Sequence, residues 1–185
     1  MMKKYVVIAI ALACACSVGA FAGNGGSGAA DGCGMGGAGA IGVERSLLVE
    51  APVEEVWDKS LDVNSWPEWI PFIKSASFKG EDLEIGSKFK LVLLGWGMPL
   101  PFTLTVCERE QYKRIAWSTG HPKAVRVARA LIYEEKDGKT LVTSREQFTG
   151  PMAKYALRMV GEDALGEIHL EWLEAIKLRV EGHEE

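Results

Sequence analysis

Residues that most catalytic and metal sites depend on are scarce here. Histidine occurs three times in 185 residues, as His121, His169 and His183. No two stand at a spacing that would gather them on one ion, so no metal site is expected. There is no Gly-x-Ser-x-Gly, no phosphate loop and no paired-histidine metal motif, which leaves a nucleophile-based hydrolase without support. The glycines between Gly34 and Gly39 do not make a phosphate cradle, because no strand precedes them and no helix follows. Cysteine is sparse: Cys14 and Cys16 fall within the first 22 residues, leaving Cys33 and Cys107. Two cysteines in a chain of this size are no disulfide scaffold. Pairing of Cys33 with Cys107 or between molecules stays open, with free thiols as the expectation. Clustered basic residues are also missing, and a net charge of −4 disfavours nucleic acid as a partner.

What is present begins with a leader. Lys3 and Lys4 precede an apolar run from Tyr5 through Cys16, and the run closes on Ala20-Phe21-Ala22 before Gly23. That is the order of a charged n-region, an apolar h-region and a small-x-small cleavage site, so residues 1–22 read as a secretory signal peptide and the protein as exported, periplasmic or secreted. Two alternatives stay open: an uncleaved anchor, although the run barely reaches the roughly 20 residues a spanning helix needs, and lipid attachment at Cys14. Ala11-Leu12-Ala13-Cys14 resembles a lipobox but lacks the large aliphatic residue three places before the cysteine. Loss of the leader, with its two lysines, would take the net charge from −4 to −6.

Residues 23–42, "GNGGSGAADGCGMGGAGAIG", hold too little apolar surface to offset the entropy of ordering them, and are expected to be a flexible tether. One domain follows over 43–182, with no internal repeat. "VERSLLVEAP" reads as a strand ended by Ala51-Pro52, since the residue before proline is pushed into extended backbone. Val53, Val56, Trp57 and Leu61 stand at helical spacing, with Glu54 and Glu55 in the first turn, where acids favour the helix dipole. The Trp- and Pro-rich "VNSWPEWIPFI" predicts one more helical turn near Asn64 to Trp69. Six strands follow. Phe89, Leu91 and Leu93 alternate on one face of their strand, and Phe102, Leu104 and Val106 on one face of the next. Asp137-Gly138 marks a tight hairpin between the last two strands. Beyond Pro151 the period becomes helical. Leu157, Ala164, Leu165, Ile168, Trp172, Ala175 and Ile176 share one face, which predicts a single long amphipathic helix. A lone helix cannot cover both faces of seven antiparallel strands, so the economical α+β solution is a curved sheet wrapped around it.

In these features the chain resembles the START-like, helix-grip proteins of the SRPBCC superfamily, of the polyketide cyclase/dehydratase type. The resemblance rests on "LLVEAPVEEVWDKSLDVNSWPEWIPFI", "IGSKFKL", "RIAWST" and the Phe148-Thr149-Gly150-Pro151-Met152 approach to the terminal helix, and it spans residues 43 to about 180. It implies a seven-stranded antiparallel sheet around a long C-terminal helix, two short helices after the first strand, and an elongated cavity that holds an apolar molecule. It implies no cofactor. Some family members are enzymes, so a cyclase, aromatase or dehydratase stands beside a hydrophobic small-molecule binder, and an envelope-tethered interaction module is a third reading.

Face parity and the helix-over-sheet geometry of the family nominate Phe89, Leu91, Trp117, Leu165, Ile168 and Trp172 as cavity lining. Trp66 and Trp69, beside Pro67 and Pro71, either frame its entrance or pack in the core. An enzyme would need an acid or base within the apolar interior, which directs attention to Arg126, Arg129, Tyr133, Arg145 and Glu146 inside strands. Of these, Arg129, Tyr133 and Arg145 are the ligand-contact candidates; the alternative is that the arginines pair with surface acids such as Glu108 and Glu146. His169 lies roughly 80° from the centre of the apolar helix face, near enough to reach the cavity rim. The hairpin "LLGWGMPLPF" carries Trp96 and Met98 where polar residues are usual. It is expected either to pack down as a cap or to act as a gate making transient contact with a membrane or another apolar surface. Oligomeric state is not legible.

Overall fold

A computed structural model describes residues 32–36, 39–95 and 98–182. Trp96, His183, the leader and most of the expected tether lie outside the described residues. Strand β1 (Ile41–Val49) leads through Ala51-Pro52 into α1 (Val53–Leu61), whose Val56 amide bonds the Pro52 carbonyl at 3.1 Å. A 3-10 turn (Val63–Ser65) runs into α2 (Trp66–Trp69), where Pro67 sits in the first turn and its missing N–H leaves no bond unmade. Six strands follow: β2 (Ile73–Phe78), β3 (Lys88–Gly95), β4 (Met98–Glu110), β5 (Arg114–Gly120), β6 (Arg126–Lys136) and β7 (Lys139–Thr149). They form one antiparallel sheet in the order β1-β7-β6-β5-β4-β3-β2. The Asp137-Gly138 hairpin closes with both residues at positive φ, 54° and 77°, as a two-residue primed turn requires. This is the expected helix-grip architecture, a seven-stranded antiparallel sheet with its long helix at the C-terminus.

The terminal helix departs from expectation. It is two helices, α3 (Ala153–Val160) and α4 (Glu162–Glu181), broken at Gly161, whose φ of +83° no helix tolerates. A pattern of apolar spacing carries across such a break unchanged, because Leu157 and Leu165 are buried in the same cluster on either side of it.

The two sheet faces are covered differently. Strand β4 shows the division: Phe102, Leu104 and Val106 are buried on the inner face, while Thr103, Thr105 and Cys107 point outward and are less buried. Helix α4 lies on the inner face. On the outer face Cys33 is bonded to Cys107, with Cα atoms 5.2 Å apart, so the expectation of free thiols is overturned. Cys33 is buried on a floor of Ala116, Ala128 and Ala130. The Gly36 amide donates to Gln147 Oε1 at 2.8 Å, and Arg126 donates to the Gly32 carbonyl at 3.4 Å. Residues 32–36 are therefore a strap across the sheet, where a free tether was expected. A glycine-rich segment cannot hold itself down by burial, but three neighbouring alanines leave a depression for its backbone and the disulfide supplies the bond.

Candidate functional site

Antiparallel register sets Val106, Trp117, Arg129, Glu146 and Val43 side by side on five neighbouring strands, all facing α4. Two members of this otherwise apolar row are charged, and they are direct neighbours. Glu146 Oε2 accepts from Arg129 Nε at 2.9 Å and from its terminal nitrogen at 2.8 Å, with side-chain exposures of 11% for Arg129 and 7% for Glu146. The same terminal nitrogen lies 3.0 Å from His169 Nε2 on α4. Arginine can only donate, so Nε2 accepts and the ring proton is assigned to Nδ1. Nδ1 then faces the Ser144 hydroxyl at 2.8 Å and donates toward the Ser144 carbonyl at 3.2 Å. The guanidinium carbon stands 4.7 Å from the centroid of the Trp172 ring, over its face, where the π-cloud attracts a cation.

Charge in this network follows from burial and contact. Burial alone would push the Glu146 carboxyl up, but the Arg129 charge and the hydrogen bonds from its guanidinium outweigh it. Together with the remaining contacts they hold the carboxyl at about 2, well under its ordinary 4.5. Burial lowers the His169 pKa, and the Arg129 charge lowers it further, so the ring is neutral at neutral pH. The group as a whole carries one positive and one negative charge, and no net charge.

Beside the pair lies a cavity of about 50 Å³. One water needs roughly 10–15 Å³ on this measure, so the space admits a few waters and not a large ligand at rest. Leu91, Leu93, Phe102, Leu104 and Trp117 line it from the sheet, and Leu165, Ile168 and Trp172 from α4, with Arg129 and Glu146 in its wall. Aromatic rings packed edge to face fill the space alongside it. The Trp66 ring stands 5.1 Å from that of Trp172, and Phe89 stands 5.7 Å from both Trp66 and Trp117. A second cleft of about 270 Å³ lies between α1, the 3-10 turn and the segment before β3, but its wall carries Asp58, Asp62, Glu81 and Asp82. Among the described residues no group of three or more His, Cys, Asp or Glu could hold a metal ion.

The nominated residues thus separate. Leu91, Trp117, Leu165, Ile168, Trp172 and Arg129 are brought together in the cavity wall. His169 stands behind Arg129 and is fully buried, deeper than the rim position expected. Phe89 packs on the rings next to the cavity, and Tyr133 lies further along the core, its hydroxyl 2.7 Å from Ser60 Oγ. Burial raises the Tyr133 pKa, so its phenol stays protonated. Trp66 is fully buried and donates to the Ser60 carbonyl at 2.9 Å, which makes it core and not entrance. Trp69 donates to Ser65 Oγ at 3.0 Å and packs on the core from outside. Arg145 points to the opposite side of the sheet, where it pairs with Glu44. Met98 is exposed at the end of the β3–β4 hairpin.

Glu146 and Ser144 are the residues that the ligand-contact candidates left out. The signal was in the sequence. A two-residue turn at Asp137-Gly138 pairs Lys136 with Lys139 and, counted back along both strands, Arg129 with Glu146. Whatever faces the cavity from one position must therefore face it from the other.

Residues 40–181 match the family described as polyketide cyclase / dehydrase and lipid transport. Among curated proteins, Oxopyrrolidines biosynthesis cluster protein O of Penicillium oxalicum is 31% identical over 149 residues, which cover 61% of this chain and 73% of that one. Among solved structures, the Zhui aromatase/cyclase of a Streptomyces species superposes with a TM-score of 0.63 at 17% identity, over 77% of this chain and 94% of its own. A START superfamily protein from Mycobacterium smegmatis gives 0.57 at 18% identity, over 75% and 96%. At these identities the solved structures share the fold alone.

Proposed function

The chain belongs to the polyketide cyclase / dehydrase and lipid transport family, and from that premise we propose that it is an exported protein that binds a small hydrophobic molecule between α4 and the inner face of its sheet. The observation that carries this reading is the cavity itself, apolar on both walls and holding one buried, charge-balanced polar group. Its small resting volume implies that side chains such as Phe102, Leu165 and Trp117 shift when a ligand enters. Met98, exposed at the hairpin end, supports contact with the apolar surface from which a ligand would be taken.

A cyclase or dehydratase is supported less well. A carboxyl held at about 2 cannot donate a proton at neutral pH and is a weak base. The His169 Nε2 lone pair is engaged by Arg129 and its other nitrogen by Ser144. Neither group is poised to move a proton.

Export is supported by the leader pattern and by the Cys33–Cys107 bond, because disulfides persist in oxidising compartments. N-terminal sequencing of the protein recovered from cells tests it: a mature terminus at Gly23 is expected, and an intact Met1 in the cytoplasm would contradict it. Binding is tested by native mass spectrometry of the full chain with a panel of neutral apolar compounds of rising size. A one-to-one complex is expected for the wild type, and its loss in Leu165→Trp, which fills the space while the circular dichroism spectrum is retained. No complex with any compound, or a complex indifferent to that substitution, would contradict the assignment.

A further inference from the structure

Trp172 sits at the centre of the site and is 2% exposed. Its indole N–H is buried and has no acceptor among the described residues. The surroundings explain why. Trp66, Phe72 and Trp117 stand with their ring centroids 5.1, 5.8 and 6.4 Å from that of Trp172, and none offers an acceptor atom. The polar group over the ring is the guanidinium of Arg129, which can only donate. By contrast the equally buried Trp66 indole is satisfied by the Ser60 carbonyl. An orphaned buried donor lowers stability relative to a satisfied one. The indole N–H is thus an unsatisfied donor in the wall of the cavity.

Charge narrows what could accept this hydrogen bond. Arg129 is already matched by Glu146, and His169 is neutral, so an incoming carboxylate would bring an unmatched negative charge into an apolar space beside an existing one. An oxygen without charge adds none.

We infer that the ligand of this cavity is a neutral molecule carrying a hydrogen-bond acceptor oxygen, such as a ketone, ester, lactone or alcohol, and that the Trp172 indole N–H recognises that oxygen. Free fatty acids and other apolar carboxylates are excluded by the same arrangement. This inference rests on the cavity-binding reading above.

Three probes of similar shape test it: ethylbenzene, acetophenone and benzoate, titrated by calorimetry into the full chain and into two variants. In the wild type, acetophenone is expected to bind more tightly than ethylbenzene, and benzoate not measurably. Trp172→Phe should weaken acetophenone about five- to tenfold, the worth of one neutral hydrogen bond, and leave ethylbenzene unchanged. Glu146→Gln, which strips Arg129 of its counter-charge, should admit benzoate. If Trp172→Phe does not fold, the wild type alone decides. Its Trp172 indole proton resonance should move downfield with acetophenone and not with ethylbenzene. Equal binding of ethylbenzene and acetophenone, with no such resonance shift, would overturn the inference and leave the cavity reading intact. Tight binding of benzoate to the wild type would overturn it too. Binding of none of the three would overturn the cavity reading itself.

Discussion

Arg145 and Glu146 are chain neighbours on β7, and the pleat sends them to opposite faces of the sheet, each into an ion pair. Outside, Arg145 meets Glu44 across β1, with side-chain exposures of 38% and 46%. Inside, Glu146 meets Arg129 across β6 at 7% and 11%. The chemistry is the same, but water screens the outer pair and is excluded from the inner one. Coulomb attraction and desolvation are therefore both small outside and both large inside. Only the inner pair has further partners from another layer, His169 and the Trp172 ring, and only it borders a cavity.

The largest expected effect comes from breaking the inner pair on one side. Glu146→Ala leaves a buried guanidinium uncompensated and should cost about 3–5 kcal/mol of unfolding free energy in urea. A cost no greater than that of an exposed pair would remove the distinction between the faces. Cutting the outer staple comes next. Cys33→Ser should cost about 2–4 kcal/mol, yet leave ligand affinity unchanged, because the strap and the cavity lie on opposite sides of the sheet; a matching loss of affinity would show the faces to be coupled.

Acid should single out the inner pair again. The Glu146 pKa is depressed in the folded state, so its contribution is complete above 4.5 and is lost as pH falls from there toward 2. The loss should be on the order of a few kcal/mol. The His169 pKa is depressed as well, and a ring kept neutral begins to cost stability as pH drops below 6.5. Both slopes run the same way, so stability falls on acidification. Urea titrations from pH 7 to 3 should show a shallower acid limb for Glu146→Gln than for wild type, and an identical limb would contradict the assignment. Smallest is Glu44→Ala, which should cost under about 1 kcal/mol, reduced further by salt.

Much of this contrast was legible in the sequence, and the rest was missed for specific reasons. Period-two alternation in β3 and β4 and the helical spacing after Pro151 gave the sheet, its inner face and the helix upon it. These signals reflect burial on one face, which any sequence must encode. The break at Gly161 was missed because apolar spacing is silent about one residue's φ. The strap was missed because composition reports what a segment can bury alone, not what a disulfide and an alanine floor can hold down. Arg145 was grouped with the cavity because parity relates residues within a strand and does not say which set faces in. Register across the Asp137-Gly138 turn would have ranked Glu146 above it, since Val127, Leu131 and Tyr133 already mark the inward set on β6 and Arg129 belongs to that set.

The most direct test follows methyl resonances during titration with ethylbenzene. The inner face should respond: methyls of Leu91, Leu165 and Ile168 should shift and saturate at one equivalent, while those of Ala116, Ala128 and Ala130 on the outer face stay still. Shifts that never saturate, or that appear on the alanine floor and not around Leu165, would contradict the assignment of the binding cavity.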